Sequence, residues 1–166
     1  MARKRIMMYD VALSFSGKDS AVANQLYRVL KRGGLDVYSY NKQNQFGESL
    51  FIVTRQVFNS GASNAVVIMS ENYAEGYWTK KEWKELLKAK KARRIKKLFL
   101  VRLDNTRLPG LNEGEIFEVW GNNPVEIGKK VISQLGRCST RRMLRICVAI
   151  IVILSILGGA GLFWYG

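Results

Sequence analysis

Short apolar runs alternate with amphipathic stretches along most of the chain. Runs rich in β-branched and aromatic residues, typical of strands, cover residues 9–15, 35–40, 65–69, 98–103 and 116–120. Apolar residues recur at helical spacing over residues 21–32, 50–60, 78–91 and 124–135. Strands that alternate with helices form a parallel sheet covered on both faces. The pattern therefore predicts an α/β protein with a doubly wound, five-stranded parallel sheet.

Polar loops follow three of the predicted strands. They cover residues 16–20, 41–49 and 70–78. In open α/β sheets, ligands bind in the crevice beyond the carboxyl ends of the strands, where the strand order reverses. We therefore expect the functional site at this edge of the sheet, built from these loops.

The last 21 residues differ from the rest because residues 146–166 carry no charge. About 20 apolar residues in a helix span a hydrocarbon core of roughly 30 Å. Four arginines precede this stretch, and Trp164 and Tyr165 lie at its far end, where an aromatic belt is expected. The pattern predicts a transmembrane helix over residues 146–165; the alternative is a buried C-terminal core helix.

This prediction divides the chain into four parts. They are a basic segment (residues 1–8), a folded domain (9–136), a basic juxtamembrane linker (137–145) and the transmembrane helix (146–165). Because basic residues next to a span stay on the cytoplasmic side, we expect a single-pass membrane protein whose folded domain is cytosolic.

Composition limits the chemistry that is available. The chain has no histidine, so it lacks every histidine-based nucleophile pair and general base. Its two cysteines, Cys138 and Cys147, both follow the predicted domain. A catalytic group in the domain must therefore be a carboxylate, a hydroxyl, an amine or a backbone donor. The formal net charge of +14 favours an anionic partner, such as a nucleotide, a nucleic acid or a lipid surface.

Four segments in this order resemble the Toll/interleukin-1 receptor (TIR) domain. They are residues 9–19 (YDVALSFSGKD), 34–38 with the loop that ends FGESL at residue 50, 66–83 (VVIMSENYAEGYWTKKEW), and 100–104 followed by Leu108-Pro109. The resemblance covers the chain from about Tyr9 to Leu135 and implies a flavodoxin-like fold. The loop from Asn41 to Ser49 corresponds to the family's BB loop.

Many TIR domains of this kind cleave NAD⁺ at the nicotinamide–ribose bond. The resemblance places the family's catalytic glutamate on Glu82, four residues after Trp78. A carboxylate near the ribose can accept hydroxyl hydrogen bonds and stabilise an oxocarbenium-like transition state. NAD⁺ is then the substrate, and neither a cofactor nor a metal is expected. The resemblance also implies a set of residues that border the nucleotide: Phe15, Ser16, Lys18, Asp19 and Trp78.

Glu82 lies in a strongly basic stretch. From Lys80 to Lys97 there are ten Lys/Arg residues and two acids. Because nearby cations favour the charged form of a carboxyl group, we expect Glu82 to stay ionised. We expect Glu85 to be a solvated ion-pair partner at i,i+4 spacing, a role also open to Glu82. Trp83 is expected in the core.

Two details of the resemblance bear on the product. Residues 39–41 stand where the family often has an aspartate, and Thr79 stands where the family has a cysteine. Both positions adjoin the predicted nucleotide site. The product, linear or cyclic ADP-ribose, therefore stays open.

The sequence is compatible with three functions. The first is an NAD⁺-cleaving enzyme on a bacterial inner membrane, an immune or anti-phage effector that becomes active when TIR domains associate. Its trigger would be an unknown sensor or activator protein. The second is a non-catalytic adaptor that recruits other TIR domains. The third is a basic protein that binds a lipid bilayer or nucleic acid; nucleic acid is not expected as the main partner, since no aromatic stacking platform is visible.

Overall fold

The computed structural model of the chain describes residues 9–42, 50–112 and 114–136. Their main elements are, in chain order, β1 (Tyr9–Ser14), α1 (Ser20–Arg32), β2 (Val37–Tyr38), α2 (Leu50–Gln56), β3 (Ala62–Met69), α3 (Glu71–Glu75), α4 (Tyr77–Lys91), β4 (Leu98–Arg102), β5 (Phe117–Val119) and α5 (Pro124–Leu135).

The five strands form one parallel sheet in the order β2-β1-β3-β4-β5. β1 lies between β2 and β3, where Val11 pairs with Val37 on one side and with Asn64 on the other. The predicted doubly wound parallel sheet is confirmed. Because the order reverses between β1 and β3, the crevice for a ligand lies beyond the carboxyl ends of these two strands.

Helices cover both faces of the sheet. On one face α1 and α5 pack together over residues such as Leu26, Leu30 and Ile127. A Cβ atom on Gly128 would lie 2.3 Å from Cγ1 of Val29, so only glycine permits this close approach of the two helices.

The other face is covered by α2 and α4. Phe58, Trp83 and Leu86 are buried there against the residues of β3 that face them. The apolar stripe of α4 is therefore used for the core, which leaves its lysines on the outside.

Several predicted elements differ in extent, and β3 begins at Ala62, three residues earlier than predicted. β2 has only two residues, and the helix predicted over 50–60 is an α-helix to Gln56 followed by a π-helical turn over Val57–Gly61. The segment predicted as a loop after β3 contains α3. Ser70 caps that helix by accepting a hydrogen bond from the backbone N–H of Tyr73 at 3.0 Å. Side-chain caps of this kind stabilise helices too short to show a hydrophobic period.

Several predicted segments lie outside the described residues. They are the basic segment 1–8, the loop positions 43–49, the linker 137–145 and the transmembrane helix 146–165. Within the described residues, no helix combines the length and the apolar character that a bilayer crossing requires.

Candidate active site

Glu82 lies in the second turn of α4 and turns its carboxyl group toward the end of β1. The residue is only 6% exposed. The hydroxyl of Ser14, the last residue of β1, donates a hydrogen bond to Oε2 of Glu82 at 3.1 Å. The hydroxyl oxygens of Ser14 and Tyr73 are 2.8 Å apart. Since the single proton of Ser14 goes to the carboxyl group, Tyr73 donates to Ser14, and the three residues form one chain of hydrogen bonds.

A second carboxyl group, that of Asp19, lies at the same edge and is 8% exposed. Its Oδ2 accepts a hydrogen bond from the hydroxyl of Ser70 at 2.5 Å, and its Oδ1 accepts one from the side-chain amide of Asn72 at 3.0 Å. Ser70 and Asn72 belong to the start of α3, as does Tyr73. The short helix therefore positions Asp19 directly and Glu82 through the hydrogen-bond chain.

Tyr40 lies close enough to both carboxyl groups to be affected by their charges. Its ring stacks on the buried ring of Phe15, with the centroids 4.8 Å apart. Burial, followed by the charges of Glu82 and Asp19, raises the pKa of the Tyr40 hydroxyl. A Cβ atom on Gly17 would lie 3.3 Å from that hydroxyl, so the turn after β1 runs close beside it.

The protonation of Glu82 differs from the prediction. Burial raises the pKa of its carboxyl group to about 7, and the hydrogen bond from Ser14 opposes the rise. The expectation that neighbouring cations keep Glu82 ionised is wrong. Lys80 and Lys84 are exposed on the outer side of α4, while the carboxyl group points inward. Loss of water around the carboxyl group outweighs the attraction of cations that water screens.

Trp83 has the role predicted for it, and Glu85 forms ion pairs as predicted, although its side chain is only 14% exposed. Glu85 pairs with Lys88 at 2.8 Å, an i,i+3 pair rather than i,i+4, and with Arg55 at 3.3 Å. The hydrogen bond from Lys88 is the main cause of its lowered pKa. Trp83 is buried, and its indole N–H donates to the carbonyl oxygen of Pro109 at 2.8 Å.

The other predicted binding residues divide into two groups. Phe15 and Ser16 are buried directly after β1, beside the two carboxyl groups. Lys18 is exposed in the turn Gly17–Asp19. Trp78 is 53% exposed and packs edge-on against Tyr77 with centroids 5.1 Å apart, so it is not a core residue. Lys18 and Trp78 therefore form the second group, which lies on the outer surface around the crevice.

Five residues of the cluster were not predicted as site residues. Ser14 is the last residue of β1, and its hydrogen bond to Glu82 makes it part of the site. Tyr40, Ser70, Asn72 and Tyr73 were not singled out. Ser70 and Tyr73 lie within the third motif segment, so the motif itself was the signal for them.

Glu82 has the location that the predicted chemistry requires, but its carboxyl group is not accessible to a substrate as it stands. Its carboxyl group lies at the carboxyl edge of the sheet, next to the strand reversal, as the hypothesis requires. It is covered rather than open to solvent. Contact with a substrate therefore requires the side chains that cover it to shift.

The chain is similar to known proteins both in sequence and in structure. The chain is 28% identical over 112 residues to 3′ cyclic ADP-D-ribose synthase AaTIR of Aquimarina amphilecti, an alignment that covers 66% of this chain and 34% of that protein. The chain thus spans about a third of the length of this relative. Its structure is similar to the TIR domain of the Toll-related receptor TRR-2 from Hydra magnipapillata, with TM-score 0.63 and 15% identity over 76% of this chain and 98% of that chain.

A third similarity is to the TIR domains of the activated Roq1 resistosome, with TM-score 0.54 and 26% identity over 59% of each chain. The family model for the TIR domain matches residues 11–127, which include the whole crevice described above. With the parallel sheet, the reversal at β1 and β3 and this match, the chain belongs to the TIR domain family.

Proposed function

We propose that this protein cleaves NAD⁺ at the nicotinamide–ribose bond, with Glu82 as the catalytic carboxylate. The observation that carries the proposal is a buried carboxyl group at the carboxyl edge of a TIR sheet, held by Ser14 at 3.1 Å. Carboxyl groups whose pKa is strongly raised by burial cluster at functional sites, so the pKa of about 7 for Glu82 supports this assignment. The relative named as a cyclic ADP-ribose synthase supports NAD⁺ as the substrate.

The reaction needs only groups that the crevice contains. The bond between the ribose C1′ and the nicotinamide nitrogen breaks, and its electron pair goes to the ring nitrogen, so nicotinamide leaves as a neutral molecule. The ribose carries the positive charge in the transition state. The ionised carboxylate of Glu82 stabilises that charge and accepts a hydrogen bond from a ribose hydroxyl, while Ser14 holds the carboxylate in place.

Water or a hydroxyl group of the same molecule can then attack C1′. Attack by water, with loss of a proton, gives ADP-ribose, and attack by an internal hydroxyl gives a cyclic product. The relative's name supports the cyclic product for that protein. For this chain we propose NAD⁺ cleavage with either outcome, and product analysis by mass spectrometry decides between them.

The cellular role belongs to the same proposal. We place the TIR domain on the cytosolic side of a bacterial inner membrane, anchored by residues 146–165, as an immune or anti-phage effector that an unknown sensor activates. Self-association of TIR domains through the loop from Asn41 to Ser49 would activate it. An anchor confines the molecules to two dimensions and so raises their effective concentration. The resistosome relative supports assembly as the mode of activation.

The test is release of nicotinamide from NAD⁺ by the full chain, crowded on vesicles or by a fused oligomerisation domain. We expect turnover that increases with surface density. If the crowded protein stays inert but recruits other TIR domains, the adaptor function replaces the proposed one.

Loss of the Ser14 hydroxyl is expected to shift the pH dependence of NAD⁺ cleavage. Because kcat/KM reports ionisations of the free enzyme, it should rise with pH around a midpoint near 7, where Glu82 ionises. The Ser14 hydrogen bond lowers that pKa, so Ser14→Ala should move the midpoint to higher pH. Ser14→Thr keeps the hydroxyl and should leave the midpoint near its original value. Equal midpoints for Ser14→Ala and wild type would contradict the role of Ser14.

A further inference from the structure

The end of α4 and the turn that follows it are strongly basic. Between Leu86 and Lys97 the chain has no acidic residue, and all its cationic side chains are exposed. These cations are Lys88, Lys90, Lys91, Arg93, Arg94, Lys96 and Lys97. Basic residues at a helix C-terminus favour helix formation, but one or two are enough for that purpose. The density of charge therefore calls for another explanation.

The fold places these cations at the amino-end edge of the sheet, opposite the crevice. The backbone N–H of Lys96 donates to the carbonyl oxygen of Ser63 at 2.9 Å, next to the start of β3. The amine of Lys97 donates to the carbonyl oxygen of Gln134 in the last turn of α5. α1 ends at the same edge with Lys31 and Arg32. We call Lys31, Arg32 and residues 88–97 the basic edge.

Few carboxylates neutralise the basic edge. Glu85 pairs with Lys88 at 2.8 Å, and Asp36 pairs with Lys31 at 3.5 Å. Asp10 accepts a hydrogen bond from the backbone N–H of Asp36 instead. Among the described residues, no carboxylate forms an ion pair with the other six cations of the 88–97 segment.

Both ends of the described domain lie at the basic edge. β1 starts there at Tyr9, and α5 ends there, since the carbonyl of Gln134 contacts Lys97. The sequence before Tyr9 contains Arg3, Lys4 and Arg5. The sequence after Gly136 contains four arginines and then the uncharged residues 146–166. Two further basic segments, one of them next to the most apolar stretch of the chain, are therefore joined to the same edge.

We infer that the basic edge docks on an anionic lipid bilayer, which leaves the crevice with Glu82 facing away from the membrane. Each basic residue near an anionic surface strengthens binding by roughly fivefold. A bilayer fits better than nucleic acid, because stacking on bases needs aromatic rings. Among the described residues, the large exposed aromatic side chains are Tyr77, Trp78 and Phe117, and none of them belongs to the basic edge. The inference does not depend on NAD⁺ cleavage.

The test is lysine acetylation of the full chain on vesicles, read by mass spectrometry. Vesicles of phosphatidylcholine alone are compared with vesicles that also contain phosphatidylglycerol. We expect Lys90, Lys91 and Lys96 to react about threefold more slowly on the anionic vesicles. Lys84, exposed on the outer side of α4 and outside the basic edge, is the internal reference and should react equally on both. High salt should abolish the difference, because it screens exposed charges.

Matched variants separate the basic edge from net charge. Lys90→Gln/Lys91→Gln/Arg94→Gln should abolish the protection of Lys96. The control set Arg28→Gln/Arg107→Gln/Lys129→Gln removes the same charge from exposed positions elsewhere and should keep it. Equal acetylation on the two vesicle types overturns the inference, as does protection by a short RNA duplex but not by anionic lipid. Protected lysines without nicotinamide release would count against the enzymatic proposal alone.

Discussion

Glu82→Gln is expected to reduce NAD⁺ cleavage at least ~100-fold while the domain stays folded. Removing one electrostatic stabiliser of a charged transition state typically costs about two to three orders of magnitude in rate. Glutamine has the size of glutamate and can still accept the hydrogen bond from Ser14, so the loss reports the charge rather than the packing. Nicotinamide release at pH 8, where wild-type Glu82 is mostly ionised, is the measurement.

Glu85→Gln is the matched control for this variant. It lies one turn further along α4, and it pairs with Lys88 and Arg55, whose side chains are well exposed, so we expect these pairs to contribute little. Its turnover should stay within about twofold of wild type. Loss of activity in Glu85→Gln together with full activity in Glu82→Gln would show that the catalytic carboxylate has been placed wrongly.

The same substitution is expected to stabilise the domain at high pH. The pKa of Glu82 is about 7 in the folded protein and 4.5 in the unfolded chain, so between these values the folded state binds more protons. The contribution of Glu82 to the free energy of unfolding should therefore fall as the pH rises, by about 3 kcal/mol in total from below pH 4.5 to above pH 7. Glu82→Gln carries no such group and avoids this decline.

Urea unfolding of both full chains in detergent, at pH 4.5 and pH 8, measures the difference. Every other titrating group is common to the two proteins, so their difference isolates Glu82. We expect a small difference at pH 4.5 and a variant more stable by about 3 kcal/mol at pH 8. A difference that does not change with pH would mean that the carboxyl group is better hydrated than its burial indicates. Catalytic residues of enzymes commonly lower the stability of the folded protein.

Local patterns were enough to predict most elements of the sheet and its helices. α5 has the predicted bounds, Pro124–Leu135, because proline at its first turn, the Asn123 cap and Gly136 act on neighbouring residues. α3 was missed, since five residues are too few to show a period. The choice of Glu82 as the catalytic residue came from the resemblance to a family. The prediction that Glu82 stays ionised depended on local charge, and it was wrong.

Periodicity, charge and motif spacing are properties of neighbouring residues, and from them the chain alone determined the α/β alternation, the edge where a site is expected and the basic character of residues 80–97. Only tertiary structure decided that Ser14, 68 residues away, holds Glu82, and that burial sets its pKa near 7. It also decided that the cations at the end of α4 and in the turn after it lie at the opposite edge. Desolvation and long-range hydrogen bonds depend on which distant segments meet, and spacing along the chain carries no record of that.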